Sequence, residues 1–147
     1  MIRYLLDGNV IQEMHPGGHP KVHAWLATVN DHQLHYSVVT FHESRLGLER
    51  ERLRRKDKDA SDVEAKLIAL DALIEELADR TFDIDSKISS EWARMLAVSG
   101  KNDRDTALAA TARVHDLVLV TRNIKHVVGR DISVLDPFVN KPEIKRV

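Results

Sequence analysis

Short apolar runs alternate with segments of helical periodicity along the whole chain. Five runs are strand candidates because they are short, apolar and bounded by turn residues or a change of pattern; they lie at residues 2–6, 34–39, 81–84, 117–120 and 132–135. Between them, apolar residues recur every three or four positions, as a helix face requires. Strands that alternate with helices predict an α/β fold, in which a mostly parallel sheet has helices on both faces.

Helix boundaries follow from capping signals and from breaks in the pattern. Thr40-Phe-His-Glu43 has the Thr-x-x-Glu spacing of a capping box, so a helix is predicted from Thr40 to about residue 55. Further helices are predicted at residues 21–28, 63–77, 86–99 and 105–115. The sequence divides into one domain over residues 1–138 and a polar tail over residues 139–147.

Composition excludes several classes of protein. The length of 147 residues suits one domain, and 43% hydrophobic with 31% charged residues is an ordinary globular mixture. The lack of cysteine excludes a disulfide scaffold, a thiolate nucleophile and any Cys-ligated metal, whereas the net charge of −1 says nothing about nucleic acid. No apolar run reaches the roughly 18 residues of a membrane span. Asp7 interrupts the first apolar run too early for a secretion signal, so a cytoplasmic protein without membrane contact is expected.

Polar residues lie where the predicted strands end and where the adjoining helices begin; they are Asp7, Glu43, Asp103, Asp105, Thr121 and Asn123. A parallel sheet brings such positions to one edge, which is where ligands bind in α/β folds. Carboxylates that converge there repel one another unless a cation lies between them. Oxygen ligands favour Mg²⁺ or Mn²⁺, and the chemistry that follows is metal-assisted attack of water on a phosphodiester.

Each acidic residue also has a structural interpretation. Glu43 can complete the capping box with Thr40. Asp103 and Asp105 can stabilise a helix, because acids are favoured near a helix N-terminus. Asp7 can cap the next helical turn, since a carboxylate behind a buried strand is costly unless it is bound or capping. The residues alone leave both interpretations open, and the set is stronger evidence for a site than any member.

Five segments together resemble the PIN-domain ribonucleases, in the order in which that family has them. They are Leu5-Leu-Asp-Gly-Asn-Val-Ile11, Ser37-Val-Val-Thr-Phe-His-Glu-Ser-Arg-Leu-Gly47, Asp105-Thr-Ala-Leu-Ala-Ala-Thr-Ala112, Leu119-Val-Thr-Arg-Asn123 and Leu135-Asp-Pro-Phe138. The resemblance covers roughly residues 2–138 and is specific as a set. It is to the VapC/FitB type, the toxins of bacterial toxin–antitoxin pairs.

The resemblance implies an α/β/α sandwich with a twisted, mostly parallel sheet of five strands, assembled as a homodimer. It implies the toxin of a type II toxin–antitoxin system, an endoribonuclease that hydrolyses RNA phosphodiesters with Mg²⁺ or Mn²⁺ and that a cognate antitoxin inhibits. Carried over to this chain, Asp7, Glu43 and Asp105 are the catalytic and metal-binding residues. Asp7 is expected to ligate the metal directly, while Glu43 and Asp105 complete its shell or hold the attacking water.

Three positions depart from that family's pattern. Gly8 removes a hydroxyl beside the predicted metal ligand, Asn123 stands where some members have a fourth acid, and His126 stands where others have an aspartate. Asp103 is a possible substitute acid, and Thr121 and Asn123 can position water or a carboxylate through hydrogen bonds. These departures keep a second hypothesis open: a catalytically weak domain that binds RNA or a protein partner without efficient cleavage.

Surface features give further hypotheses. Arg122 is the candidate phosphate contact nearest the acidic residues, and the basic cluster at residues 50–58 is either a second RNA contact or a solvated helix end. The eight histidines and both tryptophans are expected to be surface or core residues. The helix pair at residues 40–77 carries more apolar surface than its charged faces can hide, which predicts a groove for an amphipathic antitoxin helix. An antitoxin arginine is expected to pair with Asp7 or Asp105.

Overall fold

The structure of the protein, a computed structural model, describes residues 1–55 and 59–147. Strands in these residues are β1 (Tyr4–Leu6), β2 (Leu34–Ser37), β3 (Thr81–Phe82), β4 (Val118–Val120), β5 (Ser133–Leu135) and β6 (Lys145–Arg146). They form one sheet in the order β3-β2-β1-β4-β5-β6, and every pairing except β5 with β6 is parallel. The predicted α/β fold with a mostly parallel sheet is confirmed.

The predicted count of five strands is wrong, because the polar tail contributes a sixth. Strand β6 runs antiparallel to β5, with Lys145 opposite Val134. Beyond this pair, Ile132 and Val147 exchange two backbone hydrogen bonds of 3.0 Å. Both residues of β6 are exposed, as polar residues on an edge strand are. Such a strand has no apolar alternation, so hydropathy alone predicts a tail there.

The helices in the described residues are α1 (Gly8–Ile11), α2 (Pro20–Leu26), α3 (Val38–Arg54), α4 (Ser61–Glu76), α5 (Ser86–Val98) and α6 (Asp103–His115). Single 3₁₀ turns occur at Asp31–Gln33, Ala78–Arg80 and Ile124–His126. Within the part of the chain that the structure describes, no helix combines the length and the apolar character needed to cross a membrane.

Two apolar clusters, one on each face of the sheet, make the layers of the sandwich. Leu6 of the central strand β1 packs in the first cluster with Leu70 of α4. Leu5 points to the other face and packs with Ile88 of α5 and Leu108 of α6. Leu5 and Leu6 are both fully buried, and burial of a leucine side chain stabilises a fold by roughly 1.5–3 kcal/mol. Side chains that alternate along β1 therefore pack against helices on both faces of the sheet. This packing fixes the position of the strand ends.

Helix α3 begins earlier than the capping box predicts. Its N-cap is Ser37, whose hydroxyl accepts a hydrogen bond of 3.1 Å from the backbone N–H of Val39. Thr40 therefore lies inside the helix, where its buried hydroxyl has no hydrogen-bond partner among the described residues. Glu43 lies in the second turn, so its interpretation as a capping residue is wrong. Its carboxylate does not cap the helix and instead lies near those of Asp7 and Asp105.

Candidate acidic active site

The carboxyl ends of β1 and β4 bring Asp7 and Thr121 together. The two strands are parallel neighbours with Leu6 opposite Val120, so the residues that follow them also lie side by side. The backbone N–H of Asp7 donates to the carbonyl of Val120 at 3.0 Å, which extends the ladder by one residue. The Thr121 hydroxyl then donates to Asp7 Oδ2 at 2.7 Å. Backbone pairing thus positions this carboxylate.

Asp7 is buried and surrounded by neutral hydrogen-bond donors. Its side chain is the N-cap of α1, where Oδ1 accepts from the backbone N–H of Gly8 at 2.6 Å. Oδ2 also accepts from Asn9 Nδ2 at 3.2 Å. Burial raises the pKa of Asp7 above its usual range, the hydrogen bond from Thr121 opposes that rise, and the charge of Asp105 adds to it. Asp7 therefore both caps a helix and carries a charge that another carboxylate destabilises.

Glu43 faces the same neighbourhood from α3. Its half-buried carboxylate has Arg104 as a partner, with 3.5 Å between Arg104 Nε and Glu43 Oε1. Burial raises the pKa of Glu43, Arg104 opposes the rise, and the charges of Asp7 and Asp105 add to it. Because Asp7 and Asp105 both act on Glu43, and Asp105 also acts on Asp7, the three carboxylates share one electrostatic environment at this edge.

Asp105 comes from the first turn of α6, and hydrogen bonds from a buried arginine hold this turn in place. The Arg130 guanidinium, itself buried, donates to two carbonyls at the end of α5 and to the Thr106 hydroxyl of α6. The Asp105 side chain is half-buried, and its Oδ2 lies 2.8 Å from Nδ1 of His126. Arg130 thus fixes the start of α6 from its buried side. On the other side, the Asp105 carboxylate has the His126 imidazole as its partner.

Other predicted site residues lie at the margin of this cluster. Asp103 is exposed at the start of α6 and lines a cavity of about 530 Å³ together with Trp92 and Arg104. Asn123 is half-buried, and its backbone N–H donates to Thr121 Oγ1 at 3.0 Å. The Arg122 guanidinium is exposed and lies over the ring of Phe138, 3.7 Å from the centroid. The roles predicted for these residues remain predictions.

Three residues of the site escape prediction from the sequence. Asn9 bonds to Asp7, and its Oδ1 accepts from the backbone N–H of Arg122 at 3.3 Å. Arg104 pairs with Glu43, and His126 pairs with Asp105. Asn9 lies inside the first family-like segment, so that segment was its only signal. Arg104 carries no pattern, and His126 was marked only as a departure from the family's pattern; their partners are distant in sequence, so only the fold reveals these contacts.

The basic cluster at the end of α3 is engaged in ion pairs. Arg52 pairs with Glu49 and Glu64, Arg54 with Glu51, and Arg55 with Glu51 and Asp62. Each of these arginines is partly or largely exposed, and exposed pairs contribute at most about 1 kcal/mol. The solvated-helix interpretation is therefore favoured for these three. Lys56 and Lys58 lie outside the described residues.

The donor set fits a hard divalent cation held largely by water. Across residues 1–55 and 59–147, no three His, Asp or Glu side chains are arranged to hold an ion by themselves. A complete protein cage is not needed for Mg²⁺, which is usually held by one or two carboxylates with waters and substrate phosphates. The raised pKa values of Asp7 and Glu43 reflect burial and mutual repulsion. A cation would relieve that repulsion.

Fold and site together define an α/β domain with an acidic centre at the carboxyl ends of parallel strands. The family model described as the PIN domain matches residues 4–127, which is most of the chain. The chain therefore belongs to the PIN domain family.

Individual relatives agree with this assignment. The chain is 28% identical over 142 residues to Toxin FitB of Neisseria gonorrhoeae, covering 91% of this chain and 97% of that protein. The crystal structure of FitAcB from Neisseria gonorrhoeae superposes with a TM-score of 0.74 at 26% identity, covering 92% and 98% of the two chains. DNA-bound VapBC from Salmonella typhimurium has the same fold, with a TM-score of 0.66, 21% identity and coverage of 93% and 99%.

Proposed function

We propose that this protein is the toxin of a type II toxin–antitoxin system and an endoribonuclease that hydrolyses RNA with Mg²⁺ or Mn²⁺. The observation that carries the proposal is the buried Asp7 carboxylate, which shares the strand-end edge with the charges of Glu43 and Asp105. A relative of 28% identity over nearly its whole length is named as a toxin. The family resemblance of the five motifs supports ribonuclease chemistry at this edge.

The chain's own groups divide the work between them. Asp7 and Asp105 would hold the cation, which when bound lowers the pKa of a water and offsets charge on the phosphate. Thr121, Asn9 and the Gly8 N–H keep the Asp7 carboxylate oriented. Glu43 would hold the attacking water and accept its proton, because its carboxylate lies near those of Asp7 and Asp105.

RNA would reach this edge beyond the carboxyl end of β4, where Arg122 is exposed. Arg122 follows Thr121 and is exposed. Its guanidinium lies over the ring of Phe138, and this contact orients the side chain. An arginine held in this way is suited to bind a phosphate oxygen.

A homodimer remains part of the proposal, and sedimentation of the purified protein at micromolar concentration tests it.

The antitoxin would dock on the hairpin of α3 and α4, through apolar residues that the core leaves exposed. Val63, Leu67, Leu70 and Leu77 are buried in the core, so they cannot line a groove for a partner. Leu53 and Ile68 remain 69% and 70% exposed on the same hairpin. Ile68→Glu should therefore weaken antitoxin binding without unfolding, whereas Leu70→Glu would place a charge in the core.

The alternative, a catalytically weak domain, is favoured by one observation. One of the three carboxylates, Glu43, already has a positively charged partner in Arg104. A cation has to compete with Arg104 for this carboxylate. Efficient cleavage at millimolar Mg²⁺ would show that this competition is weak.

The deciding experiment is RNA cleavage by the purified protein with Mn²⁺, Mg²⁺ or excess EDTA. We expect discrete fragments with either metal, none with EDTA, and none from Asp7→Asn prepared in parallel. Retention of RNA on the protein with no fragments in Mn²⁺ would support the weak domain instead. Fragments that persist in EDTA or in Asp7→Asn would contradict the metal-dependent mechanism. Expression in bacteria gives a second readout, because growth arrest should require Asp7.

A further inference from the structure

We infer that His126 is a positioning residue of the acidic centre, whose imidazole holds the Asp105 carboxylate in the orientation in which it faces Asp7. This inference rests on the proposed metal-dependent function. It assigns a role to a side chain that the sequence marks only as a departure from the family's pattern. The role concerns affinity for the cation rather than the chemical step.

The chemistry of the two groups in this contact defines which atom carries the hydrogen. His126 Nδ1 lies 2.8 Å from Asp105 Oδ2, a good distance for a hydrogen bond between nitrogen and oxygen. An ionised carboxylate can only accept, so Nδ1 carries the hydrogen and donates it. The bond occupies one lone pair of Oδ2 and leaves Oδ1 of Asp105 for a cation or its waters.

His126 has little freedom to move away. It ends the 3₁₀ turn Ile124–His126, and its backbone N–H donates to the carbonyl of Asn123 at 2.9 Å. The next residue, Val127, is 1% exposed and packs in the apolar cluster below α6. A buried neighbour on one side and a hydrogen-bonded turn on the other hold the backbone at His126, so its ring starts from a fixed position beside Asp105.

One short segment therefore holds two carboxylates that come from different elements. Thr121 bonds to Asp7 at the end of β1, and His126 bonds to Asp105 at the start of α6. Two carboxylates at the same edge of the sheet repel each other when both are ionised. Without a donor, repulsion would turn the half-exposed Asp105 side chain towards solvent. The imidazole opposes that rotation and keeps both carboxylates ready for one cation.

The test uses Mn²⁺ binding to the purified, RNA-free protein, measured from the electron paramagnetic resonance signal of free Mn²⁺. His126→Ala should weaken Mn²⁺ binding about tenfold, as removal of a group that orients a metal ligand does. The melting temperature in EDTA should stay unchanged, because the ring is partly exposed. His32→Ala is the matched control, since His32 is an exposed histidine in the 3₁₀ turn Asp31–Gln33.

Two conservative variants separate positioning from direct ligation. His126→Asn keeps an N–H donor at the same number of bonds from Cβ as Nδ1, so it should restore much of the affinity. His126→Gln places its N–H at the distance of Nε2 instead, so it should restore less. Rescue by glutamine but not by asparagine would overturn the inference, because the ring would then act through Nε2.

The outcomes also separate this inference from the proposed function. If the wild type binds Mn²⁺ in a manner that Asp7→Asn abolishes, but His126→Ala binds it equally well or more tightly, only the positioning role is wrong. If the wild type binds no Mn²⁺ at millimolar concentration, the metal-dependent function and the role of His126 are both overturned.

Discussion

The two sides of the acidic edge are built differently. On the strand side, Asp7 is 7% exposed and accepts hydrogen bonds only from neutral donors, with Thr121 at 2.7 Å. On the helix side, Glu43 and Asp105 are half-buried, and each faces a basic or ionisable group, Arg104 at 3.5 Å and His126 at 2.8 Å.

This difference separates what the fold fixes from what a ligand can change. The parallel ladder between β1 and β4 positions Asp7 by backbone hydrogen bonds, so its place does not depend on a bound ion. The partner of Glu43 is an exposed arginine, and a cation can replace that contact at small cost. The bond from His126 to Asp105 Oδ2 leaves the other oxygen of that carboxylate for a cation. Asp7 thus sets the location of the site, and Glu43 adjusts to what binds there.

Asp7→Asn should have the largest effect. The amide keeps the size of the side chain but removes the charge that a hard cation needs, so RNA cleavage should fall on the order of a thousand-fold or more. The measurement is the rate of fragment formation at saturating Mn²⁺, with circular dichroism as the control for folding. Undiminished cleavage by a preparation free of contaminating nuclease would remove Asp7 from the mechanism.

The same substitution should stabilise the metal-free protein at neutral pH. Since the pKa of Asp7 is raised on folding, the folded protein holds this proton more tightly than the unfolded chain does. The resulting stability is present below the ordinary aspartate pKa and is lost as pH rises through the folded value. Urea unfolding in EDTA should therefore show a gap between Asp7→Asn and the wild type that widens from acid to neutral pH. A gap that narrows would contradict the burial of an uncompensated charge.

Thr121→Val should have the next largest effect and tests the strand side directly. The variant removes the hydroxyl that donates to Asp7 and accepts from Asn123 N, so buried groups lose partners at a cost of about 1–3 kcal/mol. Thr111→Val is the matched control, because the Thr111 hydroxyl is equally buried but bonds only to the Ala107 carbonyl of its own helix. Equal losses in the free energy of unfolding for the two variants would mean that the hydrogen bond to Asp7 stabilises the fold no more than an ordinary bond within a helix.

The strand side was also the more predictable from sequence. Asp7 and Thr121 follow apolar runs, and the rule that parallel strands end at one edge places them together. Glu43 was ambiguous, because the spacing of Thr40 and Glu43 also fits a capping box, and only the structure shows that Ser37 caps α3. Strand β6 was missed because polar residues at a sheet edge carry no hydropathy signal. The contact of His126 with Asp105 was missed because it joins residues 21 positions apart with no shared pattern.

Asn123→Asp should sharpen the comparison by adding a charge to the strand side. Asn123 is half-buried after β4, and its backbone already bonds to Thr121. A fourth carboxylate there should lower the Mn²⁺ concentration for half-maximal cleavage by about tenfold, the order expected for a change in metal-site charge. A concentration that stays the same or rises would show that position 123 does not contact the ion.

Arg104→Ala should have the smallest effect. The pair with Glu43 is half-exposed, so its loss should change the free energy of unfolding by less than about 0.5 kcal/mol. Removal of a competing cation should nevertheless lower the half-maximal Mn²⁺ concentration a few-fold. Arg94→Ala, which removes the exposed pair with Glu91 on α5, should leave that concentration unchanged. An Arg104→Ala variant that needs more metal would assign Arg104 to the substrate instead.

The central claim is that the carboxylates at this edge of the sheet hold the divalent cation on which cleavage depends. The most direct test is the anomalous scattering of a crystal soaked in Mn²⁺. A peak should appear beside Asp7, within reach of Asp105 and on the side that Glu43 faces, and it should be lost in Asp7→Asn. A peak bound only by histidines, or no peak at this edge at saturating Mn²⁺, would contradict the claim.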